Sequence, residues 1–152
     1  MTPATDTELQ PYEDQEFRIA LPEHWEKVES PGPPVALIAV EPQDGKAFRA
    51  NVVVTAEDVQ DAQQWQQTVD QALEDHLHDY LLLDEEPAGT GTRRLFHHML
   101  PEAGAITAEQ WSWTAVHRGF TVTASAATFD YDAKADLFAS VADRFRLREV
   151  PA

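Results

Sequence analysis

ITAEQWSWTAVH (Ile106–His117), RG (Arg118–Gly119) and FTVTASAATF (Phe120–Phe129) follow one another without a break, and this stretch decides the fold. Both long runs alternate between large or apolar residues and small polar ones. That is the two-residue period of a strand. Taking Arg118-Gly119 as a two-residue turn makes an antiparallel hairpin. His117 then stands opposite Phe120, Ala115 opposite Val122, Trp113 opposite Ala124 and Trp111 opposite Ala126. One face carries Trp111, Trp113, Ala115, Phe120, Val122, Ala124 and Ala126, so large residues lie across from small ones and a helix can pack above them. The other face carries Gln110, Ser112, Thr114, Thr121, Thr123 and Ser125. The plain reading of that face is a solvated sheet surface made of good strand formers. The functional reading is a polar platform for a ligand or a peptide.

Working outward, Thr92 to Leu100 reads as a further strand, which turns the hairpin into a three-stranded meander. After it the chain closes with a helix from about Asp132 to Phe145, striped by Leu137, Phe138, Val141, Ala142 and Phe145. Upstream, Glu86 to Thr92 is a loop, and Leu81-Leu82-Leu83 is a helix end or a short strand. Before it lies the clearest helix. Ala62, Trp65, Val69, Ala72, Leu73, His76 and Tyr80 recur at helical spacing, with Asp61 or Asp58 as the cap. Its other face (Gln63, Gln67, Asp70, Gln71, Glu74, Asp75) is expected in solvent.

Earlier still, Val35–Val40 and Phe48–Thr55 read as a hairpin about the turn Gln43–Lys46. Phe17, Ile19 and Leu21 read as a strand stopped by Pro22, and Ser30–Pro34 as a loop. The expected fold is α+β: an antiparallel sheet of about six strands packed with two main helices. Residues 1–15 are expected as a disordered acidic tail and 16–148 as a single domain. Trp65, Trp111, Trp113 and the last helix are expected to meet in one interior.

Composition removes several classes of function. Eleven Lys and Arg stand against 27 Asp and Glu, a net charge of −16, and such a surface repels phosphate backbones and anionic lipids. Nucleic acid is therefore not an expected partner. The acidity serves solubility or a salty interior, or it fits a basic partner. There is no cysteine, so disulfides, thiolate metal sites and Cys nucleophiles are out. No run approaches the ~20 apolar residues of a membrane span, and Met1–Asp14 lacks the basic and apolar parts of a signal peptide. A cytoplasmic location without membrane insertion is expected. Eight Arg against three Lys, with abundant Ala and Asp, fit a GC-rich genome.

Chemistry is harder to find. No G-x-S-x-G elbow surrounds any serine. His76 and His78 diverge on a helix, and His97 and His98 point to opposite sides of a strand, so neither pair has zinc-binding spacing. No metal or cofactor is expected. The Gly89–Arg94 stretch lacks the ending of a phosphate loop, but Arg93 and Arg94 are the only adjacent basic pair and form a candidate anion contact. Asp130, Asp132 and Asp136 suit a helix start without further chemistry. If a pocket exists between sheet and helix, Trp65, His76, Trp111 and Trp113 are its candidate residues.

Three elements in this order carry a resemblance. They are Phe17-Arg18-Ile19-Ala20-Leu21-Pro22 with Trp25, the strand Phe48–Thr55 before a Trp-bearing helix, and the Gln110-Trp111 strand with its Gly119-Phe120 hairpin and closing amphipathic helix. Over about residues 16 to 148 the chain resembles the Mog1/PsbP-like superfamily, and within it the LpqN-type proteins of actinobacteria. The resemblance implies an antiparallel sheet sandwiched by helices and no shared enzymatic activity. It implies an accessory, chaperone-like or protein-binding module, with a partner that is basic or associated with secretion. The chain departs from the lipoprotein members in having no lipid-bearing cysteine. The competing expectations are a small-ligand binder or unrecognised hydrolase using the pocket, and a homodimer joined through the hydroxyl-rich face or an edge strand.

Overall fold

The computed structural model describes residues 8–43, 45–115 and 117–148. A large antiparallel sheet dominates it. Its strands are β3 (Glu26–Gly32), β4 (Val35–Val40), β5 (Asn51–Asp58), β6 (His78–Ala88), β7 (Gly91–Leu100), β8 (Gly104–Ala115) and β9 (Arg118–Ala127). Their order across the sheet is β3-β4-β5-β9-β8-β7-β6. A second sheet joins β1 (Leu9–Glu13), β2 (Phe17–Pro22) and β10 (Arg146–Leu147) in the order β1-β2-β10. Among the described residues two α-helices accompany the sheets, α1 (Trp65–His76) and α2 (Tyr131–Asp143). The α+β class with antiparallel pairing holds. The strands described number ten where about six were expected, because β1, β3 and β6 are edge strands with little apolar alternation to reveal them and β10 is only two residues long.

The β8–β9 hairpin keeps its expected faces but not its expected register. Ala115 pairs with Arg118, Trp113 with Phe120 and Trp111 with Val122. The turn therefore sits two residues before Arg118-Gly119, with His117 at φ 65°, a conformation His tolerates better than branched residues do. A slip by an even number leaves every side chain on its own face. Gly119 is instead required by packing. An ideal Cβ there would lie 2.7 Å from the Trp65 ring.

On the tryptophan face, β5 adds Val52 and Val54 and β4 adds Leu37 and Ala39 to the same layer, all but sealed from solvent. The small sheet and α2 cover this layer with Phe17, Leu21, Phe138, Val141 and Phe145. Phe145 lies just past the end of α2, stacked on Trp113 at 4.7 Å and on Phe17 at 5.6 Å. Leu9–Glu13, expected within the tail, form β1 instead. Pro11 pairs with Ala20 and Tyr12 with Ile19 in the small sheet. Residues 1–7 fall outside the described part, as does Asp44 in the expected Gln43–Lys46 turn.

α1 lies on the opposite face. Asp61 caps the short 3₁₀ turn Ala62–Gln64 that leads into it, its Oδ1 accepting from the Gln63 N–H at 2.9 Å, while α1 itself starts from Gln64 with no side-chain cap bond. The helix ends at His76, because Leu77 is extended and Asp79 takes φ 54°. Tyr80 therefore belongs to β6. The Leu81–Leu83 run is strand rather than helix end. Trp65 packs on Gly119 and so lies across the sheet from Trp111 and Trp113. The single shared interior expected for the three tryptophans is in fact two layers divided by the sheet.

Candidate functional site

A cleft of about 530 Å³ opens between the tryptophan face and the end of α2. Trp111, Trp113 and Phe145 line it, with Ala139 and Ala142 of α2 as the opposite wall and Arg93, Glu109, Asp143 and Arg146 as its polar lining. Trp113 reaches over β7 because position 91 is glycine. A Cβ there would meet the indole Cδ1 at 2.4 Å and the Ser112 carbonyl at 2.3 Å.

The polar lining is organised around Glu109, which is only 4% exposed. One oxygen accepts from Arg93 Nε at 2.8 Å and the other from the Tyr131 hydroxyl at the start of α2. Arg93 also reaches Asp84 at 3.3 Å and Glu86 at 3.2 Å on β6. Burial is the largest single influence and opposes its charge, but the Glu109 bond and the charges of Glu109 and Glu86 together outweigh it, so its pKa is raised. The Tyr131 phenol is pushed well above its ordinary range, first by burial and then by the bond and charge of Glu109, with Arg93 opposing. At neutral pH the phenol is therefore a fixed donor. Arg146 at the rim donates to the Asp143 and Phe145 carbonyls, at 2.6 and 2.8 Å.

Arg94 points to the other face, as strand alternation requires. It is fully buried and holds Asp70 Oδ1 at 2.7 Å, Glu85 Oε2 at 3.2 Å, Ser112 Oγ at 2.9 Å and Gln66 Oε1 at 2.8 Å. Gln66 in turn accepts from the Ser112 hydroxyl at 2.6 Å. Both arginines of the expected anion contact thus find their anions within the chain.

The hydroxyl-rich face is not open to solvent as the plain reading had it. α1 lies on it, and Gln110, Ser112 and Thr121 are buried, with Thr114, Thr123 and Ser125 half-buried. This cover leaves the edge strands as the surface a homodimer would use. On β6, Leu81, Leu82 and Leu83 are 57%, 40% and 45% exposed. The four expected pocket residues part company. Trp111 and Trp113 share the large cleft, Trp65 lines a smaller cavity under α1, and His76 lies on a shallow groove along α1's outer side. His98 is buried beside Phe96, where burial lowers its pKa. Among the described residues no three His, Asp or Glu side chains gather as a metal site.

Sequence reasoning passed over Glu109, Tyr131 and Arg146. Glu109 carried a usable signal. It shares strand parity with Trp111 and Trp113, so it is a carboxylate on a buried face, which calls for partners. Tyr131 and Arg146 depend on how α2 is seated, and nothing in their local sequence reports that.

No family model matches the chain, and no curated protein does. Solved structures do. The cyanobacterial PsbP protein CyanoP of Synechocystis sp. PCC 6803 superposes with a TM-score of 0.63 at 15% identity, covering 97% of both chains. LpqN of Mycobacterium tuberculosis, a protein involved in cell envelope biogenesis, gives 0.62 at 12% identity over 93% of this chain and 91% of its own. The Pseudomonas aeruginosa protein PA94, of unknown function, gives 0.61 at 15% over 95% and 99%. At such identities the likeness is one of fold, and that fold is Mog1/PsbP-like. No helix among the described residues is long and apolar enough to cross a membrane.

Proposed function

We propose that this chain is a non-catalytic accessory module that grips a segment of a partner protein in the cleft between α2 and the tryptophan face. The observation that carries the reading is the cleft's composition. Two tryptophans and a phenylalanine form an apolar floor, and an arginine and an aspartate stand at the rim. Trp and Arg are the residue types that dominate binding hot spots. The non-catalytic part is supported by the state of the polar groups, since Glu109 already accepts from Arg93 and Tyr131. A general base must come within hydrogen-bond reach of a substrate proton, and Glu109 is held by these two bonds at only 4% exposure. A small-ligand reading of the same cleft is favoured by its volume alone, which falls in the usual range for such pockets.

Site-specific photo-crosslinking in the native host tests the proposal. A crosslinker at Ala139, on the cleft wall, is expected to capture one reproducible protein through one peptide. Trp113→Ala should abolish that adduct. The same crosslinker at Glu29, on the far edge of the sheet, should not capture it. Adducts that are equal at both positions, or that survive Trp113→Ala, rule the cleft out as the gripping surface.

A further inference from the structure

Four of the chain's eight arginines, Arg18, Arg144, Arg146 and Arg148, gather where the end of α2 runs into β10 and β10 pairs with β2. Arg146 stands opposite Arg18, which puts their Cα atoms about 5 Å apart on one face of the small sheet. Like charges directly opposite one another disfavour strand pairing. Arg148 reaches the same place, because it and Arg18 share one oxygen of Glu13, at 3.3 and 3.1 Å. Against these four charges stand Glu13, Asp14 and Asp143, while Glu16 is taken up by Arg118 at 2.7 Å. The corner is therefore net positive in a chain whose total is −16. Arg146 is the member that lines the aromatic cleft. Its Nη1 is spent on the Asp143 and Phe145 carbonyls, and this ties the guanidinium to the backbone of the residue whose ring stacks on Trp113. Its Nε and Nη2 donate to none of the described residues, and no carboxylate among them pairs with it. Those two nitrogens form an edge that can hold a carboxylate through two parallel bonds. The exposed Arg144 side chain likewise has no partner among the described residues.

We propose that the partner segment held in the cleft is acidic. An aromatic side chain of that segment rests on Trp113 and Phe145, and the Asp or Glu side chains next to it lie on Arg146 and Arg144. The proposal rests on the reading of the cleft as a peptide-gripping surface and adds the chemistry of what is gripped. The chain's total charge argues for a basic partner, but exposed charges more than about 8 Å away are largely screened at physiological salt. At the contact itself the arginines decide. Arg93, the other cation of the cleft, is not the receiving group, because it already holds Glu109, Asp84 and Glu86. Arg146 has its head fixed in advance and its carboxylate-binding edge unspent, so little ordering is left to be done on binding.

Three synthetic peptides, acetylated and amidated so that only side chains carry charge, test this by titration against tryptophan fluorescence. They are Gly-Phe-Glu-Glu-Gly, Gly-Phe-Gln-Gln-Gly and Gly-Phe-Lys-Lys-Gly. The Glu peptide is expected to bind about fivefold tighter than the Gln peptide, the effect of one well-placed exposed ion pair, and the Lys peptide is expected to bind most weakly. The advantage should shrink as salt is raised. Arg146→Gln should bring the Glu peptide down to the level of the Gln peptide. Arg144→Gln, at an exposed side chain with no partner to lose, should weaken the Glu peptide about twofold, and it carries the test if Arg146→Gln does not fold. Trp113→Ala should weaken all three peptides by the same factor. A Glu peptide that does not bind, or that binds no better than the Gln peptide, overturns the proposal. So does an advantage for Glu that survives both arginine variants. Where Glu and Gln peptides bind equally and Trp113→Ala abolishes both, the cleft still grips peptides and only the acidic preference falls. Where the Glu peptide binds tightly and Trp113→Ala changes nothing, the reading of the cleft falls and the proposal falls with it.

Discussion

α1 and α2 press on opposite faces of one sheet by different physics. Under α2 the contact is oil on oil. Phe138 and Val141 meet Val122, Ala124 and the small sheet's Phe17 and Leu21, nearly all sealed from solvent. Under α1 the contact is a polar relay, in which a fully buried guanidinium joins Asp70 and Gln66 of the helix to Ser112 of β8 and Glu85 of β6. Apolar packing sets position loosely and tolerates repacking. A satisfied polar network demands one arrangement and costs heavily when incomplete. The sheet therefore has a side that supplies stability and a side that fixes geometry. Each side also has its own opening, the aromatic cleft on one and a small cavity under α1 on the other.

The largest effect is expected on the apolar side. Phe138→Ala removes a fully buried ring at the centre of α2, and such truncations cost about 3–5 kcal/mol. Urea unfolding should show the midpoint falling with an unchanged slope. A cost below about 1 kcal/mol would mean that α2 does not hold the core together.

Arg94→Met comes next, at about 3 kcal/mol, the lower end for breaking a buried ion pair. The lower end applies because the partners are not trapped. The Asp70 and Glu85 side chains are 44% and 42% exposed and regain water when the arginine goes. Adding Asp70→Leu should recover part of the loss, since an apolar pair of similar volume often replaces a buried ion pair at little cost. Full additivity of the two changes in the same unfolding assay would show that the relay is not a unit.

What could be read in advance follows the same division. Strand alternation placed Gln110–Ala115 and Phe120–Ala126 on their true faces, because a two-residue period survives an even slip in register. It could not place the turn, since His117 in a left-handed conformation leaves no more trace in the sequence than Arg118-Gly119 does. The stripe of α1 was legible at Trp65, Val69 and Leu73, whereas Ala62 precedes the helix and is exposed, as is Ala72. Its choice of sheet face was not, because helical period reports that a stripe is buried and says nothing of where. β1 was lost to its own composition, with Pro11 and acids around Leu9 and Tyr12. Arg93 and Arg94 invited reading as a pair, yet alternation alone sends adjacent strand residues to opposite faces. Applied there, it would have found both polar networks.

The smallest effect tests whether the apolar side is wholly apolar. Tyr131→Phe deletes the hydroxyl that donates to Glu109 and leaves the ring in place. Hydrogen bonds to charged groups are worth about 1.5–3 kcal/mol. The lower figure applies, because Glu109 keeps Arg93 and Tyr131 is only half-buried. The pH dependence separates this bond from simple packing. The folded phenol holds its proton above the ordinary value of 10.0, so above that pH the unfolded chain releases a proton that the folded chain retains. Stability from the bond is therefore complete below pH 10 and is lost as pH rises toward the folded value. Tyr12 and Tyr80 are raised as well, chiefly by burial, and add to the same alkaline decline in both proteins. The difference between wild type and Tyr131→Phe isolates Tyr131. It should be constant through neutral pH and shrink above pH 10. A difference that stays constant there would mean that the hydroxyl contributes packing alone and that Glu109 is held by Arg93.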